Sequence, residues 1–324
     1  MKQKLQADPL ESGQTIAIGK TQIAITQESY LLAHGTDNDG KPWTLTSSAW
    51  MGSASVWTAD LDKNGRADII ILMHTGGCGW APNTQLLVLM FEQNGRPYPF
   101  IADGYFTVDS HGIKDFVDAE NNGHSQLIRQ SFDDGYWITS LYQAHAARWK
   151  QMGSCGGVPF PLYTRFTNSP NNRAITPPAF RHPLNADLSN VASNGQQSTK
   201  QTYLDDLIWA RVERSEDSFL VLSNGKRCRP RSWYGSFSVI LDEPSGRRIA
   251  ALSAGEAVHR LLNEIMQRHI PVAIHGNRSR MAECQSVETL YAHAPANSRE
   301  TSLQHPSQRR LDLSLSCAQN AELP

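Results

Sequence analysis

The sequence predicts a mainly β chain with an α+β portion toward its C-terminal end. Three observations carry that reading. From about Gln14 to Met152, short β-branched and aromatic runs (QTIAIG, QIAIT, ADIIILM, TQLLVLMFE, YWITSLYQ) alternate with Gly, Asn and Asp turns, which is the pattern of strands. Turn signals such as Gln93-Asn94-Gly95-Arg96 and Asp133-Asp134-Gly135 separate the runs. Such residues tolerate positive φ, so neighbouring strands are expected to pair antiparallel. One helical pattern stands out. Ser253 and Glu256 form a capping box, and Val258, Leu261, Leu262, Ile265 and Met266 then share one face, placing a helix over 254–269 that Pro271 terminates.

These elements divide the chain into four stretches. Residues 14–165 form the β region. Over 166–202 the pattern dissolves into Asn, Ser, Pro, Thr and Gln, and Pro170, Pro177, Pro178 and Pro183 deny ladder donors, so an irregular connection is expected. Residues 203–291 form the α+β region: a helix or strand at Leu204–Val212, hairpins around Asn224-Gly225 and Ser245-Gly246, the helix, and a buried strand at IPVAIHG. Over 292–324 large apolar residues are sparse, which predicts a disordered or loosely packed tail.

Charge and hydropathy exclude several functions. In 324 residues, 30 Lys and Arg face 31 Asp and Glu, a net −1, so no global field draws the chain to nucleic acid. The longest apolar runs, Ile69–Met73 and Leu86–Phe91, fall far short of the roughly 18 to 20 residues that cross a bilayer as a helix. No membrane span is expected. The first fifteen residues carry no apolar signal core, so no export address is read there. Five cysteines at non-metal spacings are too few for a disulfide scaffold.

One motif has chemical content. Asp60-Leu61-Asp62-Lys63-Asn64-Gly65-Arg66-Ala67-Asp68, called loop one below, puts side-chain oxygens at positions 1, 3, 5 and 9. The Arg66 carbonyl is available at position 7, and Gly65 permits the turn at position 6. Ca²⁺ takes six to eight such oxygens, so Asp60, Asp62, Asn64, Arg66 and Asp68 form a candidate Ca²⁺ site; the alternative is a surface turn capped without metal. Position 12 is Ile71, inside a strand pattern, so the loop is not an EF-hand.

Val56-Trp57-Thr58-Ala59 leading into DLDKNGRADIIIL resembles an FG-GAP or VCBS-type repeat, the blade unit of integrin-like β-propellers. A second copy, Asp115 to Ile128, aligns with it at a spacing of 58 residues, from Asp60 to Asp118. Its loop two, Asp118 to Gln126, has Glu120, Asn122 and Gln126 at positions 3, 5 and 9, and is expected to rely on hydrogen bonds instead of metal. The resemblance is clear over about 47–152 and implies propeller-like antiparallel β repeats, with Ca²⁺ as the cofactor. It also implies a noncatalytic, extracytoplasmic binding protein for a protein or glycan partner.

Other sites are weaker. Gly35 to Lys41 matches GxxxxGK, but Pro42 stands where a phosphate-binding loop needs Ser or Thr, so a hairpin turn is expected. No catalytic residue is assigned. The rival reading, a hydrolase or lyase acting on a carbohydrate or ester, would use His74, His111, Asp115 and His124. Twin Gly-rich loops hold Cys78 and Cys155, the pair expected to be bridged if the oxidised chain has a disulfide. The basic run Lys226 to Arg231 is expected to be a solvated hairpin end. Tyr136, Trp137, Tyr142 and Trp149 are divided between core and binding surface.

Overall fold

The computed structural model describes residues 2–77, 82–118, 122–133, 136–155, 158–167, 174–176, 208–216, 219–223, 227–230, 237–251, 255–276 and 285–294. The molecule is mainly β, with one helix among the described residues. The N-terminal strands are β1 (Lys4–Glu11), β2 (Thr15–Ile18), β3 (Thr21–Ile25), β4 (Tyr30–Thr36), β5 (Pro42–Ser48), β6 (Ser53–Ala59), β7 (Asp68–His74), β8 (Thr84–Phe91) and β9 (Pro97–Gly104). Next come β10 (Val108–Asp109), β11 (Gly112–Ile113), β12 (Phe116–Val117), β13 (Gln126–Asp133), β14 (Tyr136–His145), β15 (Arg148–Gln151), β16 (Ser154–Cys155), β17 (Val158–Pro159), β18 (Leu162–Thr167) and β19 (Ala174–Thr176). The C-terminal part holds β20 (Ile208–Glu216), β21 (Phe219–Leu222), β22 (Arg227–Pro230), β23 (Ser238–Glu243), β24 (Gly246–Ala251), α1 (Gly255–Gln267), β25 (Pro271–Gly276) and β26 (Gln285–His293).

Strands β6 to β9 form an antiparallel meander, extended by β1 on the β6 edge. Strands β12 to β15 form a second meander. Beyond β13, the other edge of β14 is shared: its C-terminal half pairs with β15 and its N-terminal half with β18. Strands β7 and β8 are apolar at nearly every position because both faces are covered. Alternation sorts their side chains. Ile69, Ile71, Met73, Leu87 and Leu89 enter a core shared with β2 to β5 and β24, whereas Ile70, Leu72, Leu86 and Val88 enter a core shared with Leu127, Tyr142 and Trp149.

The third sheet runs β2-β3-β4-β5-β24-β23-β26-β22-β21-β20-β25. Hairpins drawn from the 14–165 stretch thus share a sheet with the 203–291 stretch, joined by parallel pairing of Trp43 to Thr46 with Arg247 to Ala250. Pairings β20–β21, β21–β22, β22–β26, β26–β25 and β25–β20 return to their start. Helix α1 packs Val258, Leu261, Leu262 and Ile265 into this core. It lies within the expected 254–269; Ser253 and the connection from 177 to 202 lie outside the described residues, as does 295–324 of the expected tail. Leu204–Val212 offered helix or strand, and its described part is strand. The helix ends as a Schellman turn: His269, at φ 51°, donates to the Met266 carbonyl and Ile270 to that of Ile265.

A buried ionic network joins the three sheets. Asp242 accepts from Arg96 at 2.6 Å, Arg247 at 3.0 Å and the Tyr291 hydroxyl at 2.7 Å. Glu92 accepts from Arg148 and Arg247, and Asp37 from Arg96. Burial raises the Asp242 carboxyl, but the Arg247 bond and charge, the Tyr291 bond and the Arg96 charge outweigh it and hold the group below its usual range. Three guanidiniums meet three carboxylates, so every charge within this network has a partner.

The expected Cys78–Cys155 pair is corrected. Cys155 is a free thiol and Cys228 is disulfide-bonded. Cys228 is fully buried on β22, and Cys155 is half-buried in the small β16–β17 hairpin. Cys78 lies outside the described residues.

Candidate metal centre

Loop one connects β6 to β7, and its sequence builds it through side chains that replace ladder bonds. Asp60 accepts the Asn64 N–H at 3.1 Å and the Gly65 N–H at 3.0 Å, and Asn64 accepts the Arg66 N–H at 2.9 Å. These are the local Asx bonds that Asp and Asn favour in turns. Lys63 at φ 59° and Gly65 at φ 83° take up the left-handed conformation the turn needs. The Asn64 amide donates to the Phe91 carbonyl, which clasps the loop onto the end of β8.

Within this frame Asp60, Asp62 and Asp68 converge, each offering a carboxylate oxygen within 4.8 Å of the others. Two oxygens bound to one Ca²⁺ at about 2.3 to 2.6 Å lie no more than about 5 Å apart, so the three carboxylates fit that ion. Asp68 is fully buried and accepts N–H bonds from Leu61 and Phe91. Burial pushes its carboxyl up, those two bonds oppose the rise, and the Asp62 and Asp60 charges add to it, giving a value of about 7. A cation is the complement such a cluster calls for. Of the five predicted ligands, the three Asp side chains are brought together, while Asn64 and Arg66 form the adjoining turn.

Loop two repeats the frame. Asp118 accepts from Asn122 at 3.1 Å and Gly123 at 3.0 Å, and Asn122 accepts from His124 at 2.9 Å. Glu120 lies outside the described residues. The loops lie side by side: Ser125 donates to the Leu61 carbonyl and Lys63 to the Asn122 carbonyl. Gly123 takes φ 84°, the left-handed conformation that favours glycine, and the Lys63 side chain packs against it.

One contact was invisible in the sequence. Asp62 accepts the buried Ala147 N–H at 2.6 Å, and Ala146 and Ala147, at φ 47° and 57°, form the β14–β15 turn. Alanine in that conformation costs about 1 to 2 kcal/mol per residue, so Asp62 holds a strained turn in place. His124 and His145 stand nearby, ring centroids 6.1 Å apart. Burial, with a contribution from His124, keeps His145 below its ordinary range, against the pull of Asp62.

The other candidates disperse. No hydrogen bond or ion pair among the described residues joins any two of His74, His111, Asp115 and His124. Gly35 to Lys41 is a hairpin turn in which Asp37 accepts from Asp39 and Lys41. Arg227 and Arg229 lie over the Phe219 ring, while Lys226 and Arg231 are outside the described residues. Trp137, Tyr142 and Trp149 are core. No family model matches the chain, and no curated protein or solved structure matches it.

Proposed function

We propose that this chain is a noncatalytic, Ca²⁺-stabilised binding protein of propeller-like repeat type that recognises a protein or glycan partner outside the cytoplasm. The observation that carries the reading is the convergence of Asp60, Asp62 and Asp68 where loop one meets loop two and the β14–β15 turn. These carboxylates would hold the ion, with Asn64 and the Arg66 carbonyl beside them. Bound Ca²⁺ supplies the positive charge that lets all three ionise together. The chain's own part is to fix the turn and clasp β8, which preorganises the neighbouring loops for a partner. The disulfide at Cys228 supports an oxidising compartment.

The test pairs a glycan array, read in Ca²⁺ and in chelator, with a turnover panel of glycosides and esters. Ca²⁺-dependent retention that Asp60→Ala/Asp62→Ala weakens and His74→Ala or His111→Ala leaves intact is expected, with no turnover. An activity abolished by a single His substitution would overturn the reading, because an essential base or nucleophile contributes orders of magnitude in rate.

A further inference from the structure

The turn between β5 and β6 lifts Trp50 and Met51 from the core; they are 40% and 61% exposed. Trp50 is nonetheless fixed, since its indole N–H donates to Gln85 Oε1 at 3.0 Å, and Gln85 Nε2 in turn donates to Asp103 Oδ1. With Thr75 and Pro82 these residues line a hollow of about 180 Å³. Its walls are tied down. The Thr75 hydroxyl donates to the Pro82 carbonyl, Arg129 donates to the Asp103 carbonyl, and Met51 packs over Gly76, where a Cβ would meet its sulfur at 3.0 Å.

We propose that this hollow is a subsite for one pyranose ring of a glycan. The inference rests on the recognition reading and commits it to its glycan arm. A half-exposed, hydrogen-bonded indole offers a rigid flat apolar surface to the C–H face of a sugar. Beside it the half-buried Asp103 carboxylate presents acceptors to neighbouring hydroxyls, and the buried Gln85 carboxamide, bonded to Trp50 and Asp103, holds both in place. The volume lies below the roughly 300 Å³ at which drug-sized pockets begin, so it takes a single ring. The Asp103 carboxylate disfavours a phosphate or an acidic sugar. A quaternary ammonium would call for several aromatic walls, and Trp50 is the one aromatic lining the hollow among the described residues.

Full-length protein titrated with glucose, galactose, mannose and N-acetylglucosamine, read by saturation-transfer NMR and tryptophan fluorescence, tests the assignment beside the glycan array. At least one sugar is expected to bind saturably. Trp50→Ala should weaken it at least about tenfold with an unchanged melting curve, Trp50→Phe should restore part of the affinity, and the near-isosteric Asp103→Asn should weaken it too. Binding indifferent to Trp50→Ala and Asp103→Asn overturns the subsite, as does absence of binding to all four sugars and the array. Array binding that survives Trp50→Ala but is lost in Asp60→Ala/Asp62→Ala rejects the subsite while leaving the recognition reading standing. Turnover abolished by a His substitution rejects that parent reading instead.

Discussion

Loop one and loop two share a backbone frame and differ in what fills it. Asp60 and Asp118 each cap the N–H groups four and five residues ahead, at 3.1 and 3.0 Å in both loops, and Asn64 and Asn122 each cap a third at 2.9 Å. The frame therefore belongs to the Asp-x-x-x-Asn-Gly sequence, which builds it from side-chain bonds to its own backbone. Metal capacity is a separate property. The loops part at position 9, where buried Asp68 faces two other carboxylates and buried Gln126 brings no charge.

Asp62→Ala should show the largest difference between the loops. It removes a carboxylate from the cluster and leaves the buried Ala147 N–H without its acceptor, a loss of about 1 to 3 kcal/mol before any metal is counted. Asp118→Ala should cost about 1 kcal/mol, the value of a lost cap. Urea unfolding in Ca²⁺ and in chelator measures both. Equal losses would mean that loop one is a turn like its neighbour.

Gln126→Asp tests the comparison from the other side. In chelator the variant should be less stable than wild type, because a buried carboxylate replaces an amide, and added Ca²⁺ should recover part of the loss. A variant indifferent to Ca²⁺ would show that position 9 does not decide metal capacity.

The strands and the three carboxylates were legible because both are local patterns: short continuous apolar runs mark β7 and β8, and four oxygens in register mark loop one. Parallel pairing of β5 with β24 was not, since Trp43 and Arg247 are far apart in sequence and no local pattern encodes their register. The buried network was hidden for a related reason. Glu92 and Arg96 sit at an ordinary hairpin turn, and their partners Asp242 and Arg247 arrive from another sheet. The Trp50 hollow is also a product of long-range packing.

A smaller effect should appear with pH. In chelator the folded Asp68 carboxyl lies at about 7, above its ordinary 3.8. The native state therefore binds more protons than the unfolded state between these values. This contribution to stability is fully present below about 3.8 and is lost as pH rises to about 7. Asp68→Asn should flatten that slope, whereas Asp118→Asn should leave it unchanged. Melting curves at closely spaced pH values check it, and identical slopes in wild type and Asp68→Asn would contradict the burial of an uncompensated carboxyl.

Calorimetric titration of chelator-treated protein with CaCl₂, followed by thermal melts, reaches the central claim most directly. One ion per chain should bind, and at 100 times Kd it should raise stability by about 2.7 kcal/mol. Binding should vanish in Asp68→Asn and persist in Asp118→Ala. No heat and superimposable melts, or binding that survives Asp68→Asn and is lost in Asp118→Ala, would contradict the account.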